Sequence, residues 1–258
     1  MKSSLLVCSK STRKFLPEYD EVRIVSGPPT IKILEEEGSV EHVVAIGGGA
    51  VIDTAKILSR TPISCYPTTA SGSTATSWGV YWDGENKHSC YRQTPNSIMY
   101  VPSFMDGMPN EIIVNTICDA VSHCLDSLNS VNSTDDSEFY CRHALSLLEK
   151  KEDRNCLLEA GHVAGLAIEI TSTNLLHCLS YPMTGRYGIP HGKALGILLP
   201  KLSKFMGHDV NDIIHDCSVD KNIEIDYEFI VDNALKYDKI KQSKLEINKI
   251  ELMEMLTT

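Results

Sequence analysis

The run Val43-Val-Ala-Ile46, leading directly into Gly47-Gly48-Gly49 and then into a stretch of helical period, restricts the fold more than any other segment. A short β-branched run that stops at consecutive glycines and resumes as a helix is a strand, a glycine turn and a helix N-terminus. Free backbone N–H groups and the helix dipole at such a turn favour a pyrophosphate, and glycines let the phosphate approach the backbone. Taken alone, the segment is equally compatible with a tight turn that binds nothing.

Two further short aliphatic runs, Leu5 to Cys8 and Val22 to Val25, precede it, and Ile31 to Glu37 carries a helical pattern between the second run and the third. Strands alternating with helices predict an α/β unit with a parallel sheet. Thr76 to Trp82 and Lys87 to Tyr91 flank Asp83-Gly84-Glu85-Asn86 and predict a hairpin appended to that sheet. From about Pro109 the apolar period lengthens to 3.6 residues. Helices are expected over Ile112 to Leu128, Ser137 to Leu148, Cys156 to Leu179, Lys193 to Met206 and Phe229 to Leu235. The expected organisation is therefore an α/β N-terminal dinucleotide-binding domain over residues 1–108 and an all-α C-terminal domain over residues 109–258, with any site in the cleft between them.

The helical half carries the ionisable residues. Asp119 and His123 are four apart and point the same way from one helix, while His177 and His191 flank a Pro/Gly-rich turn downstream. Imidazole nitrogens joined by a carboxylate oxygen suit a borderline divalent cation, and a catalytic site of that kind keeps one coordination position open. Each residue alone is more simply a satisfied core histidine or a solvated acid. Cys118 and Cys124 adjoin the pair but are turned about 100° around the helix from it, so they read as packing residues.

The 258 residues, 42% of them apolar, suffice for an ordinary buried core. A net charge of −10 argues against nucleic acid, which needs a clustered basic face, and the lysines from Lys236 to Lys249 alternate with apolar residues as a solvated helix face does. No apolar run approaches the roughly 20 residues of a membrane span. Nine cysteines without a C-x-x-C pair fit a reducing compartment, and a cytoplasmic location is expected.

Four blocks, in order, resemble the metal-dependent (iron-containing) alcohol dehydrogenases, relatives of glycerol dehydrogenase and dehydroquinate synthase. They are Gly47 to Lys56, Pro67 to Ser73, Asp119 to His123, and His177 to Gly192. The resemblance implies that Asp119, His123, His177 and His191 hold Fe²⁺, or Zn²⁺ on the same ligands. It also implies that Gly47, Gly48, Gly49 and Asp53 belong to the cofactor loop, that Thr68, Thr69 and Ser73 reach the phosphates and nicotinamide ribose, and that Lys87 lies near that ribose. The implied reaction is hydride transfer between nicotinamide C4 and a short aldehyde, with a homodimer as the usual assembly. The alternatives are a non-redox lyase of the dehydroquinate synthase type and a shortened, inactive binding homologue.

Departures from the family pattern refine the expectation. Ser9-Lys10-Ser11 stands where an NAD enzyme commonly places an acid, so NADP(H) is favoured over NAD(H). Pro28 replaces an asparagine that helps hold the cofactor. Tyr181 occupies the position of a second family histidine, as a proton relay or as a packed aromatic. The wording from Ser180 to Pro190, with that of the hairpin Ser77 to Asp83, is similar to the branch that reduces phosphonoacetaldehyde to 2-hydroxyethylphosphonate. That likeness casts Arg186 as an anion clamp near the metal, with a surface arginine as the other reading.

Overall fold

The computed structural model describes residues 4–19, 21–214 and 224–257. Its N-terminal half contains β1 (Leu5–Ser9), β2 (Val22–Val25), β3 (Val43–Gly47), α1 (Gly49–Leu58), β4 (Ser64–Pro67), β5 (Trp78–Asp83), β6 (Asn86–Tyr91) and β7 (Ser97–Ile98). A parallel sheet runs in the order β2-β1-β3-β4-β7. Leu6 and Cys8 of β1 and Val43, Ala45 and Ile46 of β3 are buried, as the central strands of a covered parallel sheet must be. The chain leaves β1 towards β2 on one side and then places β3 on the other. The ends of β1 and β3 therefore flank the point where the strand order reverses, where open α/β sheets take their ligands.

The C-terminal half contains α2 (Asn110–Leu128), α3 (Asp135–Leu148), α4 (Arg154–Thr171), α5 (Leu175–Tyr187), α6 (His191–Leu202), α7 (Asn211–Ile214), α8 (Tyr227–Ala234) and α9 (Lys249–Thr257). The change from sheet to helices falls between a 3₁₀ turn at Pro102–Met105 and α2. Ile117, Val121, Leu125, Leu158, Leu176 and Leu198 share one apolar core with Ala70 and Met105, while Val7, Val43, Ala45, Ile52 and Ile57 form another around the sheet. Contact between the halves is close at Gly161 of α4. A Cβ there would stand 2.2 Å from the Ala70 carbonyl carbon, so only glycine lets the loop after β4 lie on this helix.

Several local expectations are corrected. The hairpin β5–β6 forms a sheet of its own and leans on the 29–30 loop through Trp82 N–H to Pro29 O (2.9 Å) and an isolated Thr30–Trp82 bridge. Ile31–Glu36 is 3₁₀ rather than α. The helix expected over 156–179 is two helices. Ser172, at φ 62°, breaks it, and the Asn174 side chain accepts the Leu175 N–H to begin α5. The segment after His177 is not mainly a turn: α5 continues through Pro182 to Tyr187, and only Gly188, Ile189 and Pro190 separate it from α6. The Lys-rich tail is a 3₁₀ turn at Asp238–Gln242 followed by irregular chain, and of its lysines only Lys249 enters a helix. Among the described cysteines, Cys8, Cys65, Cys118, Cys124, Cys141 and Cys178 are buried, while Cys217 lies outside the described residues.

Candidate active site

A cavity of about 850 Å³ runs between the halves. One end is lined by Gly49, Ala50 and Asp53 of α1 with Gly72 and Ser73 of the loop after β4. The glycine turn and that loop converge: a Cβ on Gly48 would meet Thr69 Oγ1 at 3.0 Å, and one on Gly49 would meet Ser71 Oγ at 2.7 Å. Thr68 joins them by donating its N–H to Gly47 O (3.0 Å). The first turn of α1 thus presents backbone N–H groups and hydroxyls to the same space, the composition of an anion cradle. Asp53 is buried and faces Lys56 Nζ at 3.4 Å. Burial raises its carboxyl from the ordinary range, opposed by Lys56 and Ser73. Lys56 itself donates to the Thr76 and Trp78 carbonyls (3.0 and 2.6 Å) and so fixes the chain entering β5.

In the middle of the cavity Asp119, His123, His177 and His191 converge from α2, α5 and α6. Asp119 Oδ1 stands 3.5 Å from His123 Nε2 and 3.6 Å from both His177 Nε2 and His191 Nε2. These separations exceed hydrogen-bond length, and Asp119 Oδ1 and His177 Nε2 are buried without a hydrogen-bond partner among the described residues. Donors about 2.0–2.2 Å from one tetrahedral centre stand roughly 3.3–3.6 Å apart. Two orphaned buried atoms at that spacing fit a divalent cation. Asp119, His177 and His191 each place a donor atom within 4.8 Å of the others, and His123 joins them through Asp119.

The electrostatics agree. Burial would raise the Asp119 carboxyl, but the imidazoles around it hold it well below the ordinary carboxylate range. Burial pushes His123 down to about 4 and His191 well below its ordinary value, which leaves neutral rings with lone pairs free to coordinate. His177 differs. Burial would lower it, yet Asp119 and Asp126 on either side raise it. Asp126, fully buried, accepts from or pairs with His177 Nδ1 at 2.8 Å and also accepts the backbone N–H groups of Asn174 and Leu176, both at 2.9 Å. It anchors the start of α5 and turns His177 Nε2 towards Asp119, the arrangement that orients a ligating histidine. Sequence reasoning passed over Asp126, although its place seven residues after Asp119 puts it on the same helix face. Ser180 Oγ lies 3.3 Å from His191 Nδ1 and plays the corresponding part there.

The far wall is formed by Tyr181, Tyr237, Lys87 and Lys239. Lys87 Nζ sits 4.6 Å over the Tyr181 ring, and burial pushes its ammonium down to about 8. Tyr181 OH lies 3.2 Å from Thr173 Oγ1, and burial lifts the phenol far above its ordinary value. Lys239, Tyr237, Thr173, Trp78 and Trp82 also line the cavity; of these, Trp78 and Trp82 belong to the hairpin singled out in the sequence, and the other three had been given no part in a site. Arg186 corrects an expectation: it is exposed in the last turn of α5, its guanidinium lies 4.0 Å over the Phe229 ring, and it is not among the cavity's lining residues. Nor are Ser9 and Lys10. Lys10 is exposed beyond β1, Ser9 Oγ is bonded to Ser11 and Thr12, and Arg13 donates to Leu16 O and Tyr19 O.

Comparison with known proteins accords with this architecture. The model of the C-terminal domain of the Fe-containing alcohol dehydrogenase family matches residues 113–232. Phosphonoacetaldehyde reductase of Streptomyces viridochromogenes is 28% identical over 206 residues, covering 63% of this chain and 52% of that protein. The 4-hydroxybutyrate dehydrogenase of Clostridium kluyveri is 26% identical, covering 67% of this chain and 57% of its own. The chain thus spans about half the length of the curated relatives it matches. Sulfoacetaldehyde reductase of Bifidobacterium kashiwanohense, solved with NAD⁺, superposes with a TM-score of 0.82 at 22% identity, over 100% of this chain and 90% of that one, which establishes a common fold.

Proposed function

We propose that this chain is a metal-dependent, nicotinamide-linked aldehyde reductase or alcohol dehydrogenase. The observation that carries the reading is the convergence of Asp119, His123, His177 and His191 in the cavity whose other end is the α1 glycine turn. When bound, a divalent cation supplies Lewis acidity at a carbonyl oxygen, and a nicotinamide supplies or accepts the hydride. The chain's own residues do the rest. Gly49, Ala50 and Ser73 cradle the cofactor phosphates, with Gly47, Gly48, Thr68 and Thr69 shaping the two loops behind them. Asp53 and Lys87 face the space left for the nicotinamide half. Fe²⁺ and Zn²⁺ both suit the ligand set, which the four side chains hold with Asp126 and Ser180 fixing the ring orientations.

Tyr181 is proposed as the proton donor to the reduced oxygen. Its phenol keeps its proton, lines the cavity, and meets the Thr173 hydroxyl through which the proton can be replaced. For the cofactor, NADP(H) is favoured over NAD(H), because the chain just after β1 offers Lys10 and no carboxylate at Ser9 to Arg13. Arg13 is already committed to backbone carbonyls, so the preference rests on Lys10 alone. The relatives named for phosphonoacetaldehyde, sulfoacetaldehyde and 4-hydroxybutyrate make a short anionic aldehyde, phosphonoacetaldehyde included, the substrate to try first. The two halves, 1–108 and 109–258, are proposed to bind cofactor and metal respectively, in a cytoplasmic enzyme that pairs as a homodimer.

Anaerobic reconstitution with Fe²⁺ or Zn²⁺, followed by NADPH and NADH oxidation with a panel of short aldehydes, tests the reading. Turnover that requires the metal and prefers NADPH is expected. A metal-loaded protein that oxidises neither cofactor with any aldehyde would overturn it.

A further inference from the structure

The lysines from Lys236 to Lys249 are not equivalent. Lys236 donates to Asn233 Oδ1 (3.0 Å), Lys241 to Asp238 (2.7 Å) and Lys244 to Leu128 O (3.0 Å), while Lys249 pairs with Glu228 and Asp232 (2.9 and 2.7 Å). Lys239 has no hydrogen bond or ion pair among the described residues, and it alone of these lines the cavity. It follows Tyr237, whose ring meets Tyr181 edge-on at 5.3 Å, so it stands on the wall where Lys87 lies over Tyr181.

The charges on that wall are unbalanced. The carboxylates lining the cavity are Asp53 and Asp119, and both are committed, Asp53 to Lys56 and Asp119 to the imidazoles. Lys239 adds to the push that lowers the Lys87 ammonium, as facing cations do. Asp119 and Asp53 act on Lys87 and Asp126 on Lys239 only through space, and neither ammonium has a carboxylate in ion-pair contact among the described residues, so an anion between them is favourable. One of them is also reachable from solvent, since Lys239 is exposed. A long, flexible ammonium at a cavity wall suits a point contact with an oxyanion.

We infer that Lys239 is the residue that selects for substrate charge: it pairs with a phosphonate, sulfonate or carboxylate on a short aldehyde whose carbonyl points to the Asp119 and histidine cluster. The inference rests on the proposed aldehyde reduction and moves the anion contact from Arg186, on the outside of α5, to the 3₁₀ turn at Asp238–Gln242. Because the contact is made at the end of the substrate remote from the carbonyl, it holds ground state and transition state alike. Its loss raises KM with kcat little changed.

The test uses the full metal-loaded chain, with Lys239→Met, Lys239→Arg and Lys241→Met, assayed on phosphonoacetaldehyde, succinic semialdehyde and butanal. Binding of ethylphosphonate, an unreactive dianion, is measured in parallel by calorimetry. Lys239→Met is expected to lower kcat/KM for the two charged aldehydes about tenfold, mostly through KM, and to weaken ethylphosphonate binding by a similar factor. Butanal should change less than twofold, Lys239→Arg should recover most of the loss, and Lys241→Met should match the parent. Equal losses on charged and neutral aldehydes, or unchanged ethylphosphonate affinity in Lys239→Met, would overturn the inference while leaving aldehyde reduction in place. If the parent reduces no aldehyde, the proposed activity falls, and ethylphosphonate affinity still decides whether Lys239 binds anions.

Discussion

The two working regions of the cavity are built from opposite materials. At the α1 end, the proposed recognition comes from backbone N–H groups and small hydroxyls, and the residues that shape it lie within 27 positions, Gly47 to Ser73. At the cluster end it comes from buried ionisable side chains drawn from three helices, with Asp119 and His191 on separate elements brought to 3.6 Å. The first region depends on missing side chains, since a Cβ on Gly47 or Gly49 would stand 2.6 Å from Val51 or 2.7 Å from Ser71. The second tolerates almost no change of chemistry, because orphaned Asp119 Oδ1 and His177 Nε2 are buried and lose their purpose without a cation. The contrast predicts separable lesions: damage at the loop should leave metal in place, and damage at the cluster should remove it.

The largest effect belongs to the cluster. His191→Ala should lose metal and lower turnover on the order of a thousandfold or more, since Lewis-acid stabilisation contributes several kcal/mol. Retained activity at parental metal content would remove His191 from the ligand set. Asp126→Asn comes next, with metal affinity expected to fall about ten- to hundredfold as His177 loses its orienting carboxylate. Chelator competition would measure that loss, and an unchanged affinity would reduce Asp126 to an anchor for the start of α5. Gly49→Val tests the other region. Its branched side chain must displace Ser71, so cofactor affinity should drop about tenfold or more while metal content stays parental. Loss of both together would show that the regions are not independent. The smallest effect is at Arg186. With its guanidinium on Phe229 outside the cavity, Arg186→Met should change kcat/KM for an anionic aldehyde by less than about twofold. A thirtyfold loss on that substrate alone would restore the anion clamp suggested by the sequence.

The same contrast governs what could be read from the chain. β1, β2 and β3 were legible as short aliphatic runs, and β3 with the glycine turn most plainly, because a β-branched run that stops at consecutive glycines leaves few alternatives. The four residues that converge were legible too, as an i,i+4 pair and a pair of flanking histidines. What connects them was not. Ser172 breaks the long apolar stretch at a positive φ without a glycine or proline to mark it, although Thr171-Ser-Thr-Asn174 supplies residues that cap helices. Pro182 looked like a turn residue, yet α5 carries it internally because the flanking helical chain is buried on the site side. That placed Arg186 on a turn beside the metal, when the continuing helix carries it to the outer face against Phe229. Lys239 was hidden for a different reason: the alternation of its neighbours is that of a solvated face, and only tertiary placement separates it from Lys236 and Lys241.

The central claim is that Asp119, His123, His177 and His191 hold a single divalent cation between the two halves. Elemental analysis of the purified, anaerobically reconstituted chain tests it most directly, run beside Asp119→Ala and His177→Ala with folding checked by circular dichroism. The account predicts about one iron or zinc per parental chain and little in either folded variant. A folded parental chain that binds no metal, or variants that retain a full equivalent, would contradict it.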